Sequence, residues 1–152
     1  MVLMMTLIST RQGGEADGAP PECPPSPRHR ILVVEDDHDI RRLNAEVLAR
    51  SGYQVDAAED GAAAWDALQV KDYDIMVTDN DMPKLTGVEL LHKLHSAQIA
   101  LPVIMATGLP PEDKFAQYPW LQPAAMLLKP YSIHELLETV QEVLRATGTI
   151  RE

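Results

Sequence analysis

The chain has 152 residues, 45% of them hydrophobic, and a formal net charge of −10 from 23 Asp and Glu against 13 Lys and Arg. That length suits one domain with a sizeable core; the single cysteine, Cys23, excludes an internal disulfide, and no apolar run reaches the roughly 20 residues that span a bilayer. Residues 1–30 carry three basic and three acidic residues, so the whole negative excess lies on residues 31–152, a surface that repels nucleic-acid phosphate; neither a nucleic-acid nor a membrane partner is expected.

The opening MVLMMTLIS is apolar but lacks the basic residues of a signal peptide. Residues 13–30, GGEADGAPPECPPSPRHR, hold five prolines between Pro20 and Pro27. Such a stretch buries too little apolar surface to offset its ordering entropy. Residues 1–29 are therefore expected to form a disordered Pro/Gly-rich tail, and residues 30–148 the folded domain.

From there strands and helices alternate. ILVV (31–34) is a short, wholly apolar run, as in a strand covered on both faces. Asp37 or Asp39 suits the cap of a helix carrying Ile40, Leu43, Val47 and Leu48 on one face, and Gly52 ends it. YQVDAA (53–58) reads as a second strand and DGAAAWDALQ (60–69) as a second helix. YDIMVTD (73–79) is the third strand, GVELLHKLHS (87–96) the third helix and LPVIMAT (101–107) the fourth strand. Four prolines in 108–123 leave room only for a short or irregular fourth helix. AAMLLKP (124–130) is the fifth strand. SIHELLETVQEVLRATG (132–148) is the clearest helix, with Ser132 and Glu135 at capping-box spacing and Gly148 at its end. Alternation with short connections predicts right-handed βαβ units and a doubly wound, five-stranded parallel sheet.

Ligands of such sheets bind beyond the carboxyl ends of the strands. Glu35, Asp36 and Asp37 follow the first strand. The third ends in Asp79 with Asp81 close behind, the fourth in Thr107 and the fifth in Lys129. Asp36 and Asp79 are hard oxygen donors of the kind Mg²⁺ takes together with water and phosphate. A carboxylate beside a metal and a lysine is a credible phosphoryl acceptor. Thr107 can donate its hydroxyl to a phosphoryl oxygen, and Lys129 can neutralise charge on the same group. Singly each is ordinary: Asp36 as a helix cap, Asp79–Asn80–Asp81 as a turn, Lys129 as a solvated lysine. Their occurrence together at four strand ends is what favours a site.

In this order, ILVVEDD, VTDNDMPKLTGVELL, PVIMATG and LLKPYS resemble the receiver domain of two-component response regulators, over about residues 30–147. The resemblance implies a (βα)5 flavodoxin-like fold with Asp79 as phospho-acceptor. It implies Mg²⁺ held by Asp36, Asp79, the Asp81 backbone carbonyl and, through water, Glu35. Thr107 and Lys129 would contact the phosphoryl group, and the Lys129–Pro130 bond would be cis. The donor would be a histidine kinase or histidine phosphotransfer protein, and the output an unidentified downstream protein. Three positions depart from the family pattern. Met126 stands where an aromatic switch residue is common. Asp81 places a carboxylate near the phosphoryl group, where it can repel the group or orient a water for its slow hydrolysis. The proline-rich 108–123 segment offers Phe115, Tyr118 and Trp120 as contacts.

The simplest expectation is a stand-alone, monomeric, cytoplasmic receiver, a phospho-acceptor rather than an enzyme. Three alternatives compete with it: a receiver fragment of a hybrid histidine kinase, a docking module independent of phosphorylation, and a phosphohydrolase with an aspartate nucleophile, whose Asp-x-Asp motif Asp79 and Asp81 also match. His92 and His95 lack further ligands nearby in sequence and read as surface residues.

Overall fold

Residues 31–34 are apolar without interruption because the strand they form lies inside a sheet covered on both faces. A computed structural model describes residues 29–148; the expected tail, apart from His29, lies outside the described residues. In chain order the elements are β1 (Arg30–Val34), α1 (His38–Arg50), β2 (Gln54–Ala58), α2 (Gly61–Val70), β3 (Ile75–Asp79), α3 (Gly87–Ser96), β4 (Val103–Thr107), α4 (Glu112–Gln117), β5 (Ala125–Leu128) and α5 (Ile133–Ala146). The strands pair in parallel in the order β2-β1-β3-β4-β5, the doubly wound flavodoxin-like arrangement.

Alternate residues of each inner strand enter opposite cores. Ile31, Val33, Ile75, Val77, Ile104 and Ala106 pack with Leu48 of α1 and with Leu136, Val140, Val143 and Leu144 of α5. Leu32, Val34, Met76 and Met105 pack with Ala64 of α2 and with Leu90, Leu91 and Leu94 of α3. Burial of a side chain such as Leu136, fully enclosed here, is worth about 1.5–3 kcal/mol.

The expected elements all form; β1 gains Arg30, and β2 to β5 are shorter than expected. Pro102 has no N–H to give, so β4 starts at Val103. Tyr53 closes α1 through its N–H to the Leu48 carbonyl, and β2 starts after it. Asp37 is the α1 cap, accepting from the N–H groups of Asp39 (2.9 Å) and Ile40 (3.1 Å). The apolar face expected for α1 is corrected. Leu48 is buried, but Ile40 and Leu43 are 38% and 46% exposed, while Asn44 is buried. Asn44 is turned inward by Tyr131, whose hydroxyl accepts from its amide at 2.8 Å.

The Ser132–Glu135 capping box is present at α5, and a second, Thr86–Glu89, opens α3. The proline-rich stretch yields only the six-residue α4. Gly87 lets α3 approach the preceding loop; a Cβ there would lie 3.0 Å from the Asn80 Cα and 3.1 Å from the Asp79 carbonyl oxygen.

Candidate functional site

The backbone ladder continues one residue past β1, β3 and β5, and this brings the expected residues to one rim. Glu35 N–H donates to the Ala58 carbonyl at 3.1 Å, Asn80 N–H to Ala106 at 2.9 Å, and Lys129 N–H to Thr107 at 3.0 Å. Asn80 also accepts from the Val88 N–H at 2.9 Å, which ties the loop after β3 to the start of α3. Arg41 donates to the Glu35 carbonyl at 2.8 Å and braces the loop after β1. The Lys129–Pro130 bond is cis.

The side chains follow. Asp79 is enclosed, its side chain only 2% exposed, and its Oδ1 takes two hydrogen bonds: from Lys129 Nζ at 2.7 Å and from the Asp81 N–H at 3.0 Å. Glu35, Asp36 and Asp79 each present a carboxylate oxygen to a common point, these oxygens lying within 4.8 Å of one another. Glu35 is buried and accepts from the Asp37 N–H at 3.2 Å; Asp36 is exposed. Thr107 is fully buried at the end of β4. Its hydroxyl is directed at Asp81 Oδ1, 3.0 Å away, with the Leu109 carbonyl at 3.1 Å. Met126 pairs in register with Met105 and is partly buried against the core on the α2–α3 side of the sheet.

Electrostatics follow from this crowding. Burial pushes the Glu35 carboxyl up to about 7; the Asp37 N–H opposes this and the Asp79 charge adds to it. Burial alone would lower the Lys129 pKa, yet the hydrogen bond to Asp79 and the charges of Asp79, Glu35 and Asp81 carry it above the ordinary lysine value. Three carboxylates sharing one point repel one another, and a small divalent cation is the natural neutraliser of such an oxygen set. The donors present fit Mg²⁺.

Several contributors were not singled out from sequence. Arg41 and Asn80 act by side-chain hydrogen bonds to backbone partners, contacts that no residue type announces. Of the aromatic residues after β4, Phe115 and Tyr118 are partly buried against the core. Trp120 is 48% exposed and stacks on His95 at 4.1 Å, with His92 at its edge.

A family model described as the response regulator receiver domain matches residues 31–141. The chain belongs to this family. The receiver protein CpdR of Brucella abortus (strain 2308) is 30% identical over 117 residues, which cover 77% of this chain and 98% of CpdR. The response regulator MprA of Mycobacterium sp. (strain KMS) is 34% identical over 121 residues, 78% of this chain; the match spans only 52% of MprA. Among solved structures, the chemotaxis response regulator CheY4 of Vibrio cholerae aligns with a TM-score of 0.69 at 29% identity, over 77% of this chain and 99% of CheY4. The response regulator TrrA of Thermotoga maritima, solved in complex with Mg²⁺-BeF, aligns with a TM-score of 0.65 at 29% identity, over 76% of this chain and 99% of TrrA. This is a receiver domain of two-component signalling, a phospho-acceptor whose donor class is the histidine kinase, with an acidic pocket suited to Mg²⁺. Family membership sets the phosphohydrolase alternative aside. No helix among the described residues is long and apolar enough to cross a membrane.

Proposed function

We propose that Asp79 accepts a phosphoryl group from a phosphohistidine of a histidine kinase or phosphotransfer protein. The observation that carries this is the enclosed Asp79 carboxylate, paired at 2.7 Å with Lys129 beside the Glu35–Asp36 pair. Oδ1 is engaged by Lys129 and the Asp81 N–H, while Oδ2 has no hydrogen-bond partner among the described residues. Oδ2 attacks phosphorus, the new O–P bond forms, and the N–P bond breaks with its electron pair leaving on the imidazole. Asp36, Asp79 and the Asp81 backbone carbonyl would hold Mg²⁺, with Glu35 acting through water; the bound ion would neutralise charge on the transferring oxygens. Lys129 holds the nucleophile in place and offsets negative charge as the phosphoryl group arrives. Thr107 and Lys129 then contact the phosphorylated group, and Met126, a flexible side chain, fills the switch position.

Residues 30–148 form the working unit, and the receiver acts alone as a cytoplasmic monomer. The near-complete coverage of CpdR supports the stand-alone reading over a fragment of a hybrid kinase. Intact-mass spectrometry after treatment with acetyl phosphate and Mg²⁺ tests the assignment. One added phosphate on the wild type and none on Asp79→Asn is expected; equal labelling of both would remove Asp79 from the role.

A further inference from the structure

The Asp81 side chain is half exposed, yet both its oxygens are engaged. Oδ1 accepts from the Thr107 hydroxyl at 3.0 Å. Oδ2 accepts from the Gly108 N–H at 3.3 Å and lies 3.6 Å from Lys129 Nζ. The Thr107 hydroxyl has a second acceptor within reach, the Leu109 carbonyl at 3.1 Å. A hydroxyl has one proton to give, and a carboxylate is the stronger acceptor. A hydroxyl, a backbone amide and an ammonium are thus gathered around one anion, beside the acceptor. These are the donors that a phosphoryl group on Asp79 would itself collect.

We propose that the Asp81 carboxylate is a built-in stand-in for the phosphoryl group. Before phosphorylation it occupies the donors at the end of β4 and draws Thr107 and Gly108 toward the site. An arriving phosphoryl group must displace it. The inference rests on Asp79 being the acceptor. Two consequences follow. The phosphoryl group competes with an internal anion at effectively high local concentration, which weakens its hold. And because one anion replaces another, the start of the loop after β4 changes little on phosphorylation, so much of the switch is set in advance by Asp81.

Beryllofluoride with Mg²⁺ serves as the non-transferable phosphoryl probe, followed by amide resonances in wild type, Asp81→Ala and Asp81→Asn. Asp81→Ala keeps the backbone carbonyl proposed for the metal, and Asp81→Asn keeps the side-chain volume. Without the probe, the Gly108 amide should shift and exchange faster in Asp81→Ala as its acceptor is lost. On adding the probe, that amide should move little in wild type and much further in Asp81→Ala. Affinity for the probe should rise about tenfold in Asp81→Ala and less in Asp81→Asn. Coincident Gly108 resonances in unliganded wild type and Asp81→Ala would overturn the proposal, as would a probe affinity no higher in either variant. The acceptor assignment fails separately: wild type would then bind no beryllofluoride, or Asp79→Asn would bind it equally well.

Discussion

Lys129 Nζ stands 2.7 Å from Asp79 Oδ1, joining the residue that follows β5 to the last residue of β3. The Asp79 side chain is 2% exposed and that of Lys129 29%. Removing the lysine leaves an enclosed carboxylate without its paired cation. Breaking a fully buried pair costs about 3–5 kcal/mol; solvent screening at the lysine end should reduce this to about 1–3 kcal/mol. Lys129→Met should therefore lower stability in urea melts by that amount. It should also slow labelling by acetyl phosphate at least tenfold. A variant as stable and as readily labelled as wild type would show that the pair is incidental.

Asp36 should trade stability against metal affinity. Its carboxylate shares a point with those of Glu35 and Asp79, so the three repel one another. Because Asp36 is exposed, relief of that repulsion is worth only about 1 kcal/mol. Without metal, Asp36→Asn should melt a few degrees higher than wild type. With metal it should lose, because a hard cation with few protein ligands loses one of them. Calorimetric titration should show Mg²⁺ binding weakened about tenfold or more. Higher melting together with unchanged affinity would mean that the cation sits elsewhere.

What could be foreseen divides by distance along the chain. The alternation of elements, the residues at the strand ends and the Ser132–Glu135 box were all legible, because each is written in a few adjacent residues. The inward face of α1 was not. Leu48 is buried as expected, but Ile40 and Leu43, which suit a core by residue type, stay exposed while Asn44 is buried, because Tyr131, 87 positions away, supplies its partner. The same holds for Asp81. Its place near the rim could be inferred, but the hydroxyl that meets it belongs to a residue 26 positions on. Trp120 illustrates the limit on aromatic residues, since stacking on His95 leaves it half exposed where burial alone would hide it.

Glu35 predicts a pH dependence with a definite sign. Its carboxyl titrates at about 7 in the folded chain against an ordinary value of 4.5. The folded state thus holds a proton that the unfolded chain releases, and stability falls with rising pH wherever the folded state binds more protons. The contribution is complete below about pH 4.5 and lost above about pH 7. Other carboxylates, such as Asp56, whose pKa the Tyr73 hydroxyl lowers, act in the opposite sense. The difference between variants isolates Glu35. In EDTA, the melting temperature of Glu35→Gln relative to wild type should rise from pH 5 to pH 8. A constant difference would show that Glu35 does not hold the proton.

Ile40, Leu43, Pro130, Tyr131 and Ile133 line a groove of about 300 Å³ that also reaches Lys129. Ile40, Leu43 and Ile133 are 38%, 46% and 43% exposed, an apolar patch beside the lysine paired with Asp79. On the proposed assignment a phosphohistidine protein brings its imidazole to Asp79, so its surface covers the adjoining rim. Acetyl phosphate is small enough to reach the same carboxylate without touching the groove. Full burial of a leucine is worth about 1.5–3 kcal/mol, equivalent to roughly ten- to a hundredfold in affinity. Leu43→Asp also places a carboxylate in that contact. Transfer from a phosphorylated kinase that labels the wild type should therefore slow by at least tenfold, while labelling by acetyl phosphate stays within about twofold. Leu43 is half exposed, so the variant should remain folded, and the acetyl phosphate arm reports this directly. Equal loss in both assays would mean that the substitution disturbs the site itself. Equal retention in both would place the donor on another face of the domain.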